Sequence, residues 1–253
     1  MTSEARLAAD LAEGAGRVLL DLRERAGSGE VSGAEGDRRS NDYLLARLAA
    51  ERPGDAVLSE EAKDDPARLD ADRVWIVDPL DGTREFAERT DGVWRTDFAV
   101  HVALWQRGQG LVAGAVAEPA RGLVFGTDPA PAVPPRTEGP LRLAVSRTRP
   151  PDLVSRIGAL IAVDLVPMGS AGVKAMAVLT GEVDAYVHGG GQYEWDSAAP
   201  VVVAAAAGLH TSRLDGSPLV YNNSSPWLPD LLVCKREDAP RLLAVLAQIE
   251  GGR

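Results

Sequence analysis

The sequence predicts an α+β protein with a helical N-terminus, hairpins in its first half and alternating strands and helices in its second. Two apolar, β-rich runs at 98–105 and 111–117 are separated by the turn-forming residues 106–110, which is typical of a hairpin. From residue 141 onward, short apolar runs alternate with helical patterns, which favours an α/β layer. The 253 residues allow one large domain or two closely packed ones.

Two helices are expected at the start of the chain. Residues 3–25 place their apolar side chains on one stripe, which predicts an amphipathic helix docked on a core. The glycine-rich span 27–36 ends this helix, and a second one is expected to begin between Asp37 and Asn41. Asp37 is then a favoured residue type for capping the second helix.

A short strand at 56–58 ends in the sequence Ser59-Glu60-Glu61. Two adjacent carboxylates at the end of a strand resemble a known Glu-Glu motif in which the first residue, here Glu60, binds metal. The alternative is that Ser59 caps a helix and the two glutamates occupy its first turn, where the helix dipole favours negative charge.

The central feature is a buried strand at 74–77 that leads into Asp78-Pro79-Leu80-Asp81-Gly82-Thr83. Pro79 has no backbone N–H and is expected to end the strand at Asp78. Two carboxylates so close together repel each other unless a cation such as Mg²⁺ lies between them, with the Leu80 carbonyl as a third oxygen ligand. Gly82 permits close approach of an anion, and Thr83 at a helix start favours phosphate. The alternative is an ordinary Pro-Asp-Gly turn.

The remaining chain is divided by a proline-rich segment at 129–140, which is either the junction of two units, 1–138 and 139–253, or a long surface hairpin. A loop is expected at 87–96. Further strands and helices are expected in chain order: strands at 123–125, 141–145, 163–166, 184–187 and 231–234, and helices at 151–161, 170–179, 194–207 and 240–249.

Two helix starts in the second half carry polar residues. Gly169-Ser170 precedes a helix, and Lys174 one turn later could reach a phosphate; the alternative is a simple Ser cap and a solvated Lys. Asp196 opens a helix that is apolar nearly all round. Asp196 is therefore an N-cap candidate, and a carboxylate at a buried helix mouth can also bind metal.

The composition excludes several classes of function. A net charge of −10 argues against binding of nucleic-acid polymers or anionic membranes. Cys234 is the only cysteine, so an internal disulfide is excluded. His101, His188 and His210 show no ligand spacing and are expected in the core or at the surface. No apolar stretch is long enough to span a membrane, so a cytoplasmic location is expected.

The segment Asp78–Thr83 resembles the signature of the inositol monophosphatase superfamily of Mg²⁺-dependent, lithium-sensitive phosphatases. The run Trp195-Asp196-Ser197-Ala198-Ala199 resembles the second signature of that superfamily. The similarity covers nearly the whole chain. Arg84-Glu85-Phe86 and Tyr193-Glu194 are similar to the 3'(2'),5'-bisphosphate nucleotidase branch.

This resemblance implies a layered α-β-α-β-α sandwich of the sugar-phosphatase type and two or three Mg²⁺ per site. The family has a Lys-x-Asp and a Pro-Val-Thr element where this chain has the segment 32–36. This departure concerns the third metal site, to which Asp37 would contribute. The implied catalytic residues are Glu60, Asp78 and Thr83. The implied metal ligands are Asp37, Glu60, Asp78, Leu80, Asp81 and Asp196. The implied substrate contacts are Asp81, Gly82, Thr83, Arg84, Gly169, Ser170, Lys174, Glu194 and Asp196.

The expected substrate is 3'-phosphoadenosine 5'-phosphate, cleaved at its 3'-phosphate to AMP. Inositol phosphatases carry a Glu where this chain has Gly189, and the Gly is expected to leave room for a nucleoside. Lys174 would meet the second phosphate. The alternatives are inositol monophosphatase or fructose 1,6-bisphosphatase activity, a dehalogenase-type phosphatase with an Asp-x-Asp nucleophile, and a non-catalytic metal-dependent regulator. A homodimer is also expected.

Overall fold

The computed structural model describes residues 2–148 and 152–251. Its first layer consists of the helices α1 (Ser3–Ala26) and α2 (Gly33–Glu51). The α2 helix starts earlier than predicted, because the Ser32 side chain accepts a hydrogen bond from the Glu35 N–H and caps it. The prediction that Asp37 caps α2 was therefore wrong, since Asp37 lies inside the helix.

Twelve strands are found in the described part of the chain, in two five-stranded sheets and one small ribbon. The first sheet has the order β1-β2-β5-β6-β7, in which β1 and β2 are parallel and the other neighbours antiparallel. The predicted hairpin is β5–β6, and the predicted loop at 87–96 contains the ribbon β3–β4. The bounds are β1 Ala56–Ser59, β2 Arg73–Asp81, β3 Arg89–Thr90, β4 Val93–Trp94, β5 Ala99–Gln106, β6 Gly110–Glu118 and β7 Leu123–Gly126.

The strand β2 does not end at Asp78 as predicted. Asp78 pairs with His101 on β5 and Asp81 pairs with Ala99, and the register shifts between these two pairs. The pairing with β1 has already stopped at Val77, so the missing N–H of Pro79 removes no ladder hydrogen bond. The Pro79 carbonyl instead accepts a hydrogen bond of 2.6 Å from the buried Ser40 hydroxyl of α2.

The second sheet has the order β11-β12-β10-β8-β9. The strand β10 is longer than predicted and runs on to Tyr193, and β11 was not predicted. The helix predicted to start at residue 151 begins at Asp152, and residue 151 itself lies outside the described residues. The bounds are β8 Leu141–Ser146, β9 Val163–Met168, β10 Ala185–Tyr193, β11 His210–Ser212, β12 Trp227–Cys234, α3 Thr83–Ala87, α4 Asp152–Leu160, α5 Ala171–Thr180, α6 Glu194–Ala206 and α7 Ala239–Gly251.

Three clusters of buried apolar side chains lie between the layers of helices and sheets. One lies between α1, α2 and the first sheet and includes Leu11 and Trp75. A second lies between the two sheets around α5 and α6, and a third lies between the second sheet and the pair α4 and α7. Each sheet is thus covered on both faces, and the expected α-β-α-β-α sandwich is confirmed.

The proline-rich segment 129–140 forms no regular element and follows the first sheet in the chain. The division into units 1–138 and 139–253 stays a prediction. Among the described helices, none combines the length and the apolar character that a membrane span requires.

Candidate metal centre and active site

Three carboxylates converge at the C-terminal end of β2 and the first turn of α6. Each of Asp78, Asp81 and Asp196 offers one oxygen, and these oxygens all lie within 4.8 Å of one another. The β2 bulge places the first two, and the packing of α6 against the first sheet brings in the third. Residues far apart in the sequence thus form one acidic cluster.

Asp78 is 1% exposed. Its Oδ1 accepts a hydrogen bond of 2.9 Å from the Leu80 N–H, whereas its Oδ2 has no hydrogen-bond partner among the described residues. Burial, followed by the charges of Glu60 and Asp81, raises the pKa of Asp78 well above its ordinary value. An unpartnered buried carboxylate oxygen beside like charges is costly, and a bound cation would remove that cost.

Asp81 has a different environment. Its Oδ2 accepts hydrogen bonds from the Ser170 hydroxyl and, at 2.7 Å, from the Gly172 N–H. Burial alone would raise the pKa of Asp81, but contact with His101 and the charge of Lys174 outweigh burial and lower it. Asp81 is therefore held as a charged carboxylate.

Asp196 is the third residue of α6, so the prediction that it is the N-cap was wrong. Its Oδ2 accepts a hydrogen bond of 2.6 Å from the N–H of Tyr193, the residue before the helix, and so stabilises the helix start. Burial and then the charge of Asp81 raise the pKa of Asp196 to about 6. The same carboxylate thus caps a helix and belongs to the acidic cluster.

Glu60 and Asp37 lie beside this cluster. Glu60 is in a turn after β1, so the alternative of a helix capped by Ser59 is wrong. Although Glu60 is exposed as a residue, desolvation and the charge of Asp196 raise the pKa of its carboxyl group to about 7. Burial and the charge of Glu61 raise the pKa of Asp37 to about 6. Both carboxylates thus add negative charge to a crowded site.

The turn after β2 places Thr83 between Asp37 and the Leu80 carbonyl. The Thr83 Oγ1 lies 3.1 Å from Asp37 Oδ1 and 3.2 Å from the Leu80 carbonyl oxygen. Gly82 has φ 91°, and a Cβ there would lie 3.3 Å from the Phe98 Cβ, so this turn requires glycine. α3 begins at Thr83, as predicted.

The donor set of this site fits a hard divalent cation. It consists of carboxylate and carbonyl oxygens and contains the unpartnered oxygen of Asp78. Hard cations prefer such oxygen ligands. Burial and then mutual repulsion raise the pKa of Glu60, Asp78 and Asp196, and a cation would offset both effects.

A cavity of about 660 Å³ adjoins the acidic cluster. Asp81 and Asp196 line it together with Ser170 and Lys174. Lys174 is 7% exposed, and its Nζ donates a hydrogen bond to the Ser170 carbonyl. Burial lowers the pKa of Lys174, and the charge of Asp81 partly offsets that effect.

Among the predicted substrate contacts, Gly82, Thr83, Arg84, Gly169 and Glu194 do not line this cavity. Glu194 is 0% exposed, and its oxygens accept hydrogen bonds from the backbone N–H groups of Asn222 and Asn223. The Gly169 N–H donates to Asp97, and neither Gly169 nor Glu194 lines the cavity. Arg84 is exposed, and a hydrogen bond of 3.1 Å joins it to the Thr148 hydroxyl.

Gly189 lines the cavity together with Gly190. A Cβ at Gly189 would lie 2.9 Å from Leu153 Cδ2 and so point toward α4. A Cβ at Gly190 would meet nothing within 4 Å. A side chain at Gly190 would thus meet open space, and the role of Gly189 in leaving room for a nucleoside stays a prediction.

Sequence reasoning missed two kinds of residue at this site. His101 was expected in the core or at the surface and not at the site, and only the register of β2 with β5 places it opposite Asp78. Two aromatic residues, Tyr193 and Trp227, line the cavity while 47% and 51% exposed. Exposed aromatic side chains beside a cavity are a signal that only the folded chain provides.

Comparisons with known proteins agree with this architecture. The model of the inositol monophosphatase family matches residues 2–132 and 136–250. A Mycobacterium leprae protein named 3'-phosphoadenosine 5'-phosphate phosphatase is 56% identical, over 98% of this chain and 94% of that protein. The 3'(2'),5'-bisphosphate nucleotidase CysQ of Escherichia coli K12 is 30% identical, over 84% of this chain and 88% of that protein.

Solved structures show the same fold. The crystal structure of CysQ from Bacteroides thetaiotaomicron, a bacterial member of the inositol monophosphatase family, superimposes with a TM-score of 0.75 at 28% identity. The match covers 92% of this chain and 98% of that one. Since the family model and these relatives each span most of the chain, this protein belongs to the inositol monophosphatase family.

Proposed function

We propose that this protein is a metal-dependent phosphomonoesterase that converts 3'-phosphoadenosine 5'-phosphate and water to AMP and phosphate. The observation that carries the proposal is the acidic cluster beside a cavity that is also lined by Lys174 and exposed aromatic rings. The name of the Mycobacterium leprae relative supports the same substrate.

Enzymes of this family are metal-dependent, and we assign two or three Mg²⁺ to this site. The residues that would hold them are Asp37, Glu60, Asp78, the Leu80 carbonyl, Asp81 and Asp196. When bound, Mg²⁺ supplies positive charge to the phosphate oxygens and lowers the pKa of a coordinated water.

The chain's own groups would orient the water and the phosphate. The Thr83 hydroxyl has one hydrogen, which can go to Asp37 or to the Leu80 carbonyl, so its oxygen is free to accept a hydrogen bond from water. Glu60 and Asp78 provide further acceptors. The backbone N–H groups of Gly82 and Thr83 would bind phosphate oxygens as negative charge develops. The water oxygen forms a bond to phosphorus and gives a proton to a nearby carboxylate such as Glu60. The bond between phosphorus and the 3'-oxygen breaks, and the 3'-oxygen takes up a proton from solvent.

Other residues that line the cavity are suited to the nucleoside and the second phosphate. Trp227 and Tyr193 present aromatic surface on which a base can stack. Lys174 and Ser170 line the same cavity, where a buried ammonium group can contact a 5'-phosphate. The volume of about 660 Å³ is within the range of nucleotide-sized pockets.

A substrate panel tests the proposal. With Mg²⁺ present, kcat/KM for 3'-phosphoadenosine 5'-phosphate should exceed the values for inositol 1-phosphate and fructose 1,6-bisphosphate. Chelation of the metal should abolish phosphate release from all three. A preference for inositol 1-phosphate would overturn the substrate assignment, and phosphate release that is indifferent to metal would overturn the mechanism.

Lys174→Met is expected to lower kcat/KM more for the 3',5'-bisphosphate than for adenosine 3'-phosphate. A contact between an ammonium and a phosphate stabilises binding by about 1.5–3 kcal/mol, so the ratio of the two constants should fall by about 10-fold or more. Met retains most of the side-chain volume, which avoids the cavity that Ala would leave. The exposed Lys63→Met serves as the control, and an unchanged ratio in Lys174→Met would refute a role in binding the 5'-phosphate.

Three further parts of the proposal have their own tests. A homodimer predicts a mass of about twice 26.7 kDa by light scattering. A cytoplasmic location predicts recovery of the protein with the cytoplasm on cell fractionation. Two units, 1–138 and 139–253, predict preferential proteolytic cleavage within the segment 129–140.

A further inference from the structure

One imidazole lies between the two sequence motifs that form the acidic cluster. His101 is on β5 and is 0% exposed. Its Nδ1 is 3.1 Å from the carbonyl oxygen of Trp195, the residue before Asp196 in the first turn of α6. A carbonyl can only accept a hydrogen bond, so Nδ1 carries the hydrogen and donates it.

The other ring nitrogen faces Asp81. His101 Nε2 is 3.3 Å from Asp81 Oδ2, the oxygen that also accepts hydrogen bonds from Ser170 and Gly172. Two hydrogen bonds and the contact with the ring thus meet at one oxygen of the carboxylate, and the Nε2 contact is an ion pair when the imidazole carries both hydrogens. The other oxygen, Oδ1, is then the one available for a cation.

The imidazole is also closely packed against α5. A Cβ at Gly172 would lie 2.0 Å from His101 Nε2, so the ring fills the space that a side chain at that position would need. The ring therefore has little freedom to shift relative to Asp81 or α6. It joins the first sheet, α5 and α6 at one point.

We propose that His101 is a positioning residue that fixes the distance between the Asp81 and Asp196 carboxylates and thereby sets the affinity of the site for divalent cations. Residues that orient metal ligands through hydrogen bonds typically change metal affinity by about 10–100-fold when they are replaced. A histidine that only filled core volume would change stability without changing the metal affinity of the folded protein. The proposal rests on the metal site of the proposed function but not on the identity of the substrate.

Two variants separate the two contacts of the ring. His101→Asn places an amide near the Nδ1 position and loses the contact with Asp81. His101→Gln places an amide near the Nε2 position and loses the donor to Trp195. His210→Asn on β11 is the matched control, because His210 hydrogen-bonds to Ser212 and belongs to the outer part of the second sheet.

The primary measurement is the affinity of the metal-free protein for Mg²⁺ and Mn²⁺ by titration calorimetry, without substrate. Both His101 variants should bind at least about 10-fold more weakly than wild type. His210→Asn should bind as wild type does. Saturating Mg²⁺ should restore kcat in both His101 variants, whereas loss of a substrate contact would not be rescued in this way.

The outcomes distinguish this inference from the proposed function. Wild-type Mg²⁺ affinity in both folded His101 variants would overturn the role of His101 and leave the phosphatase proposal intact. A wild-type protein that binds no Mg²⁺ would overturn both. Circular dichroism identifies a variant that does not fold, in which case the other variant decides. If neither variant folds without metal and saturating Mg²⁺ does not restore folding, His101 has a purely structural role and the positioning role is overturned.

Discussion

Asp78→Asn is expected to lower kcat/KM by more than about 100-fold at limiting Mg²⁺ while the fold persists. The amide oxygen of Asn can still accept the hydrogen bond of the Leu80 N–H, which is 2.9 Å long in the wild-type protein. The change replaces the unpartnered Oδ2 with an amide nitrogen and removes a charged metal ligand. Steady-state kinetics across a range of Mg²⁺ concentrations measure the effect.

Thermal unfolding gives an independent measure of the same change. Without metal, Asp78→Asn should melt at the same temperature as wild type or higher, because it removes one of several crowded negative charges. Added Mg²⁺ should raise the melting temperature of wild type far more than that of the variant. The exposed Asp10→Asn on α1 is the control for a lost carboxylate. Near-native turnover of Asp78→Asn at limiting Mg²⁺ would contradict its assignment as a metal ligand.

Asp196→Asn is expected to fold normally and to lose more than about 100-fold in turnover at limiting Mg²⁺. The Asn oxygen can accept the hydrogen bond of the Tyr193 N–H, so the start of α6 should be preserved. Asn is a better test than Ser at this position. Asp196 is the third residue of the helix, and a residue there needs a longer side chain than an N-cap residue to reach back to the Tyr193 N–H. Kinetics and chemical denaturation of the same preparation provide the two readouts.

Asp196→Ala separates the two roles of this carboxylate. It should lose turnover as Asp196→Asn does and should also lose about 1 kcal/mol of unfolding free energy, the typical contribution of a helix cap. Full activity in Asp196→Asn would reduce Asp196 to a residue that only stabilises the start of α6.

The sequence pattern within individual segments predicted many of the helices and strands. The spacing of apolar residues within each segment predicts the α1 helix and the alternation of strands and helices after residue 141. The start of α2 was misplaced because Ser32, and not Asp37, supplies the cap. β11 was missed because three residues are too few for a period to be recognised.

Only part of the candidate site could be predicted from local sequence. Asp78 and Asp81 are close together on any chain that makes this bulge, so the sequence alone indicates their proximity. For Asp196 and Lys174 the local sequence left a structural and a functional role open, and the family resemblance decided between them, since nothing in their local sequence shows what they approach. Glu194 was assigned to the substrate, but the turn at Asn222 and Asn223 engages both of its oxygens.

By itself, the sequence determined the fold class, the family and the presence of a carboxylate cluster after a buried strand. These properties depend on the residue types and spacings of short segments. The tertiary structure alone decided that β2 continues past Pro79, that His101 lies between Asp81 and Trp195, and that a cavity with exposed aromatic rings adjoins the acidic cluster. These properties depend on strand register and on the packing of α5 and α6 between two sheets, which bring together atoms that no local pattern relates.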